Sequence, residues 1–426
     1  MQLTVFRERI RVSLQRTRRR QPKTLLGHAR TLLALLLCVS PTFAGVLPDD
    51  RTDALYHRYQ GGGITIQGPS VLIQKKITDN FAVNYNWYQD YISSASIDVK
   101  LSASPYKEKR TQHGGGFQYL HGKSTYSAGI INSVEPDYKS NTSYYSISQD
   151  MFGDLTTLSM TYKRGWDKVF RDLKDATTGR IINDPRFGND DSTGADIAYR
   201  PADHRGYSIG ISQILTRSLI GSFNFEVLTD QGYLQSPYRK ILYLNPTAGL
   251  GYTQAEQVYP HTRTSNAGAF ELKYYLPYRA AVTGKYRYFS DTWGIRAHTA
   301  EIGYTQPAWK QWIFDGSFRF YKQNAASFYS DMFPRANFQN FEARDRELAA
   351  FNSYSVGFGF AYDFPIPRNR WINKSTFNIR FDHLLIDYKD FRNALLIGST
   401  PEFTAGNEPL YKLNANIFQA FLSVWF

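Results

Sequence analysis

The chain has 426 residues, enough for one large barrel or for two to three soluble domains. Aromatic residues make up 16 % of it, and its mean hydropathy is −0.44. That combination is expected where aromatic side chains face lipid and polar side chains line a lumen. No stretch approaches the roughly 18 apolar residues of a membrane-spanning helix, so a helical membrane protein is not expected.

The formal net charge of +13 is concentrated at the N-terminus. Residues 1–44 carry nine basic side chains and one acidic side chain, so removing them takes away +8 and leaves 13 − 8 = +5. The rest of the chain therefore gives no reason to expect nucleic-acid binding.

Residues 1–44 are predicted to be a secretory signal peptide that is removed. A basic region precedes the apolar run Leu32–Val39, and Thr42-Phe43-Ala44 forms a small-x-small cleavage site before Gly45. Arg18-Arg19-Arg20 could suggest a twin-arginine signal, but the residues after it match that motif poorly. The alternative start of translation further along the chain stays open.

Cys38 lies inside this apolar run, and it is the one cysteine of the sequence. A lipoprotein signal requires a small residue before the cysteine, whereas Leu37 precedes it. The predicted mature chain, residues 45–426, would therefore have neither disulfides nor thiol chemistry.

The mature chain shows the period-two alternation of β-strands. The first strand is expected near 54–60, the second is Ile64 to Ile77, broken by Gly68-Pro69, and the third is Phe81 to Trp87. Further hairpins are predicted at short turns, whereas long loops lie between the hairpins. The paired strands are expected near 110–120 and 124–133, 142–150 and 155–166, 204–215 and 219–230, 264–276 and 280–291, 296–306 and 311–323, and 349–363 and 373–388. The long loops are expected near 167–203, 231–262, 323–347 and 389–410.

The last strand, Tyr411 to Phe426, alternates up to the final residue. Such an apolar edge is a liability in a soluble sheet, but it can pair with the first strand of a closed barrel. A terminal Phe also resembles the signal that the barrel-assembly machinery of the outer membrane recognises. We therefore predict an all-β protein, a transmembrane antiparallel up-and-down β-barrel of about 16 strands, with 14 or 18 as alternatives, in contact with outer-membrane lipid.

Charged residues on these strands are expected to face the lumen, because they alternate with apolar residues such as Tyr354, Val356 and Phe358. They suit either ion pairs that hold the wall together or a pore lining that acts on passing solutes. The predicted lumen-lining residues are Lys163, Glu226, Lys273, Lys285, Arg287, Asp315, Arg319, Arg380 and Asp382, with Glu271 and Asp363 on the same face.

Catalytic and metal motifs are weak. Gly206-Tyr207-Ser208-Ile209-Gly210 fits G-x-S-x-G, but that motif needs a strand-to-helix turn, and here it continues within a strand. No histidine pair has metal-ligand spacing. Acidic residues between Asp184 and Asp196 favour a solvated loop over a calcium site. His204 with Asp203 and Ser208, or His383 with Asp382, could serve a hydrolase at the barrel rim; the prediction is that the protein is not an enzyme and has no cofactor or metal.

Ten runs of the mature chain carry a specific resemblance. The runs are Leu55–His57, Gly61–Gly63, Gly68–Leu72, Ser93–Val99, Ala103–Tyr106, Gly153–Leu158, Arg164–Asp167, Arg263–Ala267, Tyr275–Ala280 and Asp291–Ile295. They resemble an uncharacterised family of bacterial outer-membrane β-barrels, domain of unknown function 3570. The resemblance implies location in the outer membrane and no established activity or site residues.

Two functions follow from a barrel of this width, which leaves room for an aqueous channel unless loops fold inward. The first is a channel or transporter for small solutes, with loop 231–262 or 323–347 as its constriction. The second is a scaffold that holds or presents a partner protein through aromatic residues of the long loops. Those aromatic residues are Tyr243, Tyr252, Tyr259, Phe328, Tyr329 and Phe333.

Overall fold

A computed structural model describes residues 46–102, 106–174, 181–183, 187, 199–365 and 371–426. The predicted signal peptide, the acidic residues between Asp184 and Asp196, and most of the turn that follows Pro365 lie outside these residues. No helix of the described chain is long and apolar enough to cross a membrane.

The described chain forms twenty β-strands and one short α-helix. The strands, numbered in chain order, are β1 Arg51–Gly61, β2 Ile64–Thr78, β3 Phe81–Ser94, β4 Tyr106–His121, β5 Ser124–Val134, β6 Tyr138–Met151, β7 Thr156–Val169, β8 Asp172–Lys174, β9 Ile181–Asn183, β10 Arg200–Thr216, β11 Leu219–Gly232, β12 Lys240–Leu244, β13 Tyr252–Glu256, β14 Thr262–Tyr275, β15 Ala281–Asp291, β16 Arg296–Ala308, β17 Trp312–Gln323, β18 Phe351–Phe364, β19 Lys374–Arg392 and β20 Leu410–Trp425. Helix α1 is Ile97–Ser102, and 3₁₀ turns lie at Arg346–Leu348 and Ala394–Leu396.

Sixteen of these strands, β1–β7, β10, β11 and β14–β20, form a closed antiparallel barrel. The last strand pairs with the first along the whole length of β1, from Arg51 opposite Trp425 to Gly61 opposite Ala415. The predicted fold class and the count of 16 strands are therefore confirmed. Closure leaves no unpaired edge, which explains how an apolar final strand is tolerated.

The barrel wall is apolar outside. On β18, Val356 and Phe358 are 59 % and 58 % exposed, whereas Gly357 and Gly359 between them are buried. On β19, Phe381 is exposed, and Asp382 on the opposite face is not. This alternation is what a sheet with lipid on one side and a polar interior on the other requires.

One strand prediction was wrong. Gly68-Pro69 does not break β2, which runs without interruption from Ile64 to Thr78. Gly68 and Pro69 stay in register with His57 and Tyr56 of β1. Proline has no N–H to donate, so Pro69 costs the sheet one hydrogen bond, and pairing with β1 holds the segment in the strand.

The two ends of the barrel differ in their connections. At one end, hereafter the turn end, strands are joined by short links such as 79–80, 122–123 and 217–218. At the other, the loop end, the long connections 233–261, 324–350 and 393–409 contain β12, β13 and both 3₁₀ turns. This asymmetry follows the predicted rhythm of short and long connections.

The long connections at the loop end pack on one another, and we call them, together with α1, the cap. Tyr243 bridges to Phe333 and Val258 to Glu342, which join residues 233–261 to 324–350. The side chain of Gln254 donates a 2.8 Å hydrogen bond to the carbonyl oxygen of Leu101 in α1. The cap therefore forms one packed layer.

The cap is attached to the inner wall where β20 meets β1. Wall residues Tyr59, Phe351 and Leu413 form a single buried apolar cluster with Ile97 of α1 and Phe391 at the end of β19. Burial of such side chains contributes about 1.5–3 kcal/mol each. This contact places the cap over the lumen next to the closing seam of the barrel.

Candidate functional site

A row of charges of alternating sign crosses four neighbouring strands of the lumen wall. Glu271 of β14 lies opposite Lys285 of β15, Lys285 opposite Glu301 of β16, and Glu301 opposite Arg319 of β17. Their neighbours Phe270, Tyr286, Ile302 and Phe318 are exposed on the outer face, so the charges point inward. The Nζ atom of Lys285 lies 2.6 Å from Glu271 Oε2.

A second group of charges surrounds Arg380 of β19. Its guanidinium donates to both carboxylate oxygens of Asp382, at 2.8 and 2.6 Å, and to Asp315 Oδ2 at 2.6 Å. It also donates to Ser317 Oγ at 2.7 Å. Bidentate pairing of this kind fixes the guanidinium plane and is stronger than a neutral hydrogen bond.

Two glycines of β18 make this reach possible, because Asp315 and Ser317 belong to β17, two strands away from Arg380. A Cβ added at Gly357 would overlap Asp382 Oδ1 and Arg380 Nη2. A Cβ added at Gly359 would lie 2.6 Å from Asp315 Oδ1. Any larger residue at these positions would separate the guanidinium from its partners.

A second contact between side chains two strands apart, over a glycine of the strand between them, lies on the other side of the seam. His57 of β1 reaches over Gly68 of β2 to Asp90 of β3, with Nε2 to Oδ1 at 2.6 Å. The His57 ring is stacked on Tyr88 at 4.9 Å between centroids. Arg110 of β4 lies 2.8 Å from Asp90 Oδ2 and therefore completes a buried chain of three ionisable groups.

Both groups belong to one row of paired residues across the seam. Strand pairing places Asp315, Gly359, Arg380, Gln419, His57 and Gly68 opposite one another in that order. Gln419 is 2 % exposed and sits between Arg380 and His57. The lumen wall next to the seam is therefore a packed polar layer, in which side-chain contacts also link β17 to β19 and β1 to β3.

The remaining predicted lumen residues are spread over the wall. Lys163 and Glu226 flank β10, where they lie opposite Gly206 and Ser208. Lys273 is 3.7 Å from Glu271. Arg287 stacks on Phe289 at 5.5 Å, and Asp363 pairs with Lys374 at the turn end at 3.1 Å.

The histidines proposed for a rim hydrolase have other partners than expected. His204 contacts Asp230 at 2.7 Å and Asp167 at 3.1 Å, whereas Asp203 lies on the opposite face of β10. His383 is on the outer face, hydrogen-bonded to Asn416, and its neighbour Asp382 faces the lumen. Neither predicted His–Asp pair forms. Within the described residues no group of three acidic, histidine or cysteine side chains could hold a metal ion.

The family can be identified from the sequence. A family profile described as "Protein of unknown function (DUF3570)" matches residues 97–390. The chain belongs to this DUF3570 family. The predicted resemblance is therefore confirmed, and no curated protein matches the sequence.

Solved structures similar to this DUF3570 protein are outer-membrane proteins. One is described as a bacterial polysaccharide outer membrane secretin, with 7 % identity, a TM-score of 0.44, and coverage of 89 % of this chain and 100 % of that one. OmpT of Vibrio cholerae has 9 % identity and a TM-score of 0.39, over 90 % of this chain and all of OmpT. The siderophore receptor PirA of Acinetobacter baumannii has 9 % identity and a TM-score of 0.41, over 80 % of this chain and 53 % of the receptor.

The cap of this DUF3570 protein contains its own buried charges. Arg239 lies 3.0 Å from Asp345 Oδ1 and 2.6 Å from Glu347 Oε2, and Asp345 also accepts from the hydroxyl of Tyr259. Burial, together with the charge of Asp345, raises the pKa of Tyr259 well above its usual value, so its hydroxyl remains a donor. Burial likewise raises the pKa of Asp331 to about 6, although the nearby Arg344 opposes this shift.

Three of the six aromatic residues expected to contact a partner are buried inside the cap, whereas Tyr243, Tyr252 and Tyr329 are partly exposed. Tyr259, Phe328 and Phe333 are 1 %, 5 % and 1 % exposed, so they are not available to a partner. Tyr259 and Phe328 pack edge-to-face with Trp293, at 5.3 Å between centroids. The prediction is wrong for these three residues because loops lack a periodicity that separates buried from exposed positions.

Sequence reasoning missed His57, Asp90, Arg110 and Glu301 as lumen residues. Period two alone places each of them on an inner face, because Tyr56, Tyr91 and Ile302 beside them are exposed. The signal was present, but their partners depend on register between strands that are far apart in sequence.

We expect Gly68→Val to destabilise the barrel, because a Cβ at this position would overlap the carbonyl oxygen of Gln89. Forcing β2 away from β3 would also separate His57 from Asp90, at a cost of about 1–3 kcal/mol or more. The measurement is the denaturant midpoint of the heat-modifiable gel shift of the folded barrel. Gly115→Val is the matched control, since a Cβ there meets nothing within 4 Å; equal midpoints for the two variants would contradict the argument.

Proposed function

We propose that the protein is an outer-membrane channel for small solutes, with its turn end in the periplasm and its loop end outside the cell. The observation that supports this is the wall itself, apolar outside and lined inside by charges that remain partly exposed. Lys285, Arg319 and Arg287 all keep part of their surface accessible in the lumen. A wall that served only to hold the barrel together would bury them.

The alternating signs of the row Glu271, Lys285, Glu301 and Arg319 indicate what such a channel passes. Neither sign dominates, so the wall presents hydrogen-bonding groups without a strong barrier to cations or anions. We infer that the channel conducts small polar solutes and ions with weak charge selectivity. Assembly would proceed through the last strand, which ends at Phe426, by the barrel-assembly machinery.

Ion selectivity tests this proposal. Purified protein in planar bilayers is expected to give discrete conductance steps with a permeability ratio near one for potassium chloride. Lys285→Gln with Arg319→Gln removes both positive members of the row, so the permeability ratio should shift several-fold toward cations. Glu271→Gln with Glu301→Gln is the matched opposite change and should move it toward anions. Folded barrels without conductance, or two variants with the same selectivity, would refute the channel.

The scaffold function remains a second candidate, because the outer surface of the cap exposes apolar side chains. Phe338 and Phe341 are 49 % and 39 % exposed on residues 324–350, and Leu250 is 53 % exposed on the neighbouring connection. A stoichiometric partner that co-purifies with the wild type and is lost in Phe338→Ser with Phe341→Ser would favour this candidate.

The prediction that the protein is not an enzyme stays a prediction, which assays of lipid and peptide hydrolysis would test.

A further inference from the structure

The outer wall changes character towards the loop end. Along β10, exposed Tyr207, Ile209 and Ile211 lead from the turn side up to exposed Arg205. Along β16, exposed Ile302 is followed on the same face by His298 and Arg296. Since alternate residues share a face, the apolar surface ends where a basic one begins.

Eleven basic side chains share this position: all are exposed, and each lies on the outer face of its strand in the half nearer the loop end. They are Arg58, Lys107, Lys109, Lys139, Arg164, Lys168, Arg205, Arg296, Lys322, Lys389 and Lys412. On the same part of the described strands the acidic residues are Asp203 and Asp387, which leaves 11 − 2 = +9. At the turn end the corresponding basic residue is Lys75, which pairs with Asp50 at 2.5 Å.

The basic residues are densest on β6, β7 and β10. Lys139 lies directly opposite Lys168, and Arg164 lies directly opposite Arg205. Like charges that face one another across a sheet are destabilising unless a counter-charge lies between them. Asp203 supplies one, at 3.1 Å from each arginine, whereas the two lysines face the rings of Phe170 and Tyr199. We call Lys139, Arg164, Lys168 and Arg205 the basic cluster.

An apolar surface adjoins this cluster on the side nearer the turn end. Tyr162 and Tyr207 pack together at 5.2 Å between ring centroids, and Met160 and Ile209 are exposed beside them. Trp166, 44 % exposed, lies between Arg164 and Lys168 on the same face of β7. Aromatic side chains at such a boundary are typical of the level where lipid headgroups meet acyl chains.

We propose that the basic cluster binds the phosphate groups of an anionic lipid in the leaflet around the loop end. Arginine guanidinium and lysine ammonium groups bind phosphate oxygens through charge-assisted hydrogen bonds, and clustered basic side chains are attracted to anionic lipid headgroups. The apolar surface on the turn-end side of the cluster contacts the acyl chains, which a free phosphate ion does not have. This inference rests on the proposed bilayer placement, but it does not require that the lumen conducts.

Native mass spectrometry of the detergent-purified full chain tests the site, with diphosphorylated lipid A and its dephosphorylated form as probes. The wild type should bind the phosphorylated form at least tenfold more tightly. Changing all four cluster residues to Gln should remove that preference. Four other basic residues, Arg58, Arg296, Lys322 and Lys412, changed together to Gln are the matched control and should keep most of it.

Two readouts separate this site from the channel and from misfolding. Heat-modifiable gel mobility shows that each variant is folded, and conductance in planar bilayers should be the same for the cluster variant and the wild type. Equal binding of both lipid forms by the wild type, or unchanged binding by the cluster variant, would overturn the site. Lipid preference without conductance would instead leave the site in place and refute the channel.

Discussion

Asp345→Ala is expected to loosen the cap and raise single-channel conductance several-fold. Asp345 is 2 % exposed, pairs with Arg239 at 3.0 Å and accepts the Tyr259 hydroxyl. Removing one member of a buried ion pair costs roughly 3–5 kcal/mol, because the other charge is left without its partner. Glu347 still contacts Arg239, so we expect the lower end of that range.

Limited proteolysis and conductance measure this effect together. In Asp345→Ala, cleavage within residues 233–261 and 324–350 should become faster, while the denaturant midpoint of the barrel stays close to that of the wild type. Asp345→Asn keeps an acceptor for Tyr259 and loses only the charge, so it should give an intermediate result. Glu402→Ala, at an exposed position of the cap, is the matched control.

The result would show whether the cap limits passage through the lumen. Faster cleavage with unchanged conductance would mean that the cap opens without obstructing the path. An unfolded barrel would mean that the cap supports the wall as well as covering it, which the shared apolar cluster of Tyr59, Phe351 and Leu413 makes possible.

Arg380→Met is expected to destabilise the barrel itself. It would leave Asp315 and Asp382 in the lumen wall without the guanidinium that joins them across β18. The side chain of Arg380 is 14 % exposed and that of Asp315 28 %, so water offsets part of the penalty. We expect a loss of about 2–3 kcal/mol, less than for a fully buried pair. Denaturant unfolding in detergent, followed by tryptophan fluorescence, measures it.

A rescue experiment distinguishes charge from packing. Arg380→Met combined with Asp315→Asn and Asp382→Asn removes the uncompensated charges and should recover most of the lost stability. Because the three side chains share hydrogen bonds, the single changes should not be additive. Additive effects, or no loss in Arg380→Met, would mean that the seam row does not stabilise closure.

Most of the wall could be predicted from sequence. Alternation in Phe418, Leu422 and their neighbours placed the last strand, and counting short turns gave 16 strands. The same alternation put Lys285, Arg319 and Arg380 on inner faces. This succeeds because in a strand the face of a side chain depends on local backbone geometry alone.

The candidate site was only partly accessible to such reasoning. Which inner charges meet depends on register between strands, and in two places on a glycine in the strand between them. Gly68 and Gly359 carry no recognisable signal in one sequence, because a missing side chain matters only when the residues on both sides are known. Register also explains His204. The sequence paired it with Asp203, its neighbour in the chain, whereas its actual partners Asp167 and Asp230 lie on the two adjacent strands.

The sequence by itself therefore determined a closed, sixteen-stranded wall with apolar and polar faces, because period two needs no knowledge of distant contacts. Only the tertiary structure decided that the long connections form a cap and that charges link strands across the seam. Those features depend on backbone approach and burial among residues that are remote along the chain, where loops have no period and partners are chosen by closure of the barrel.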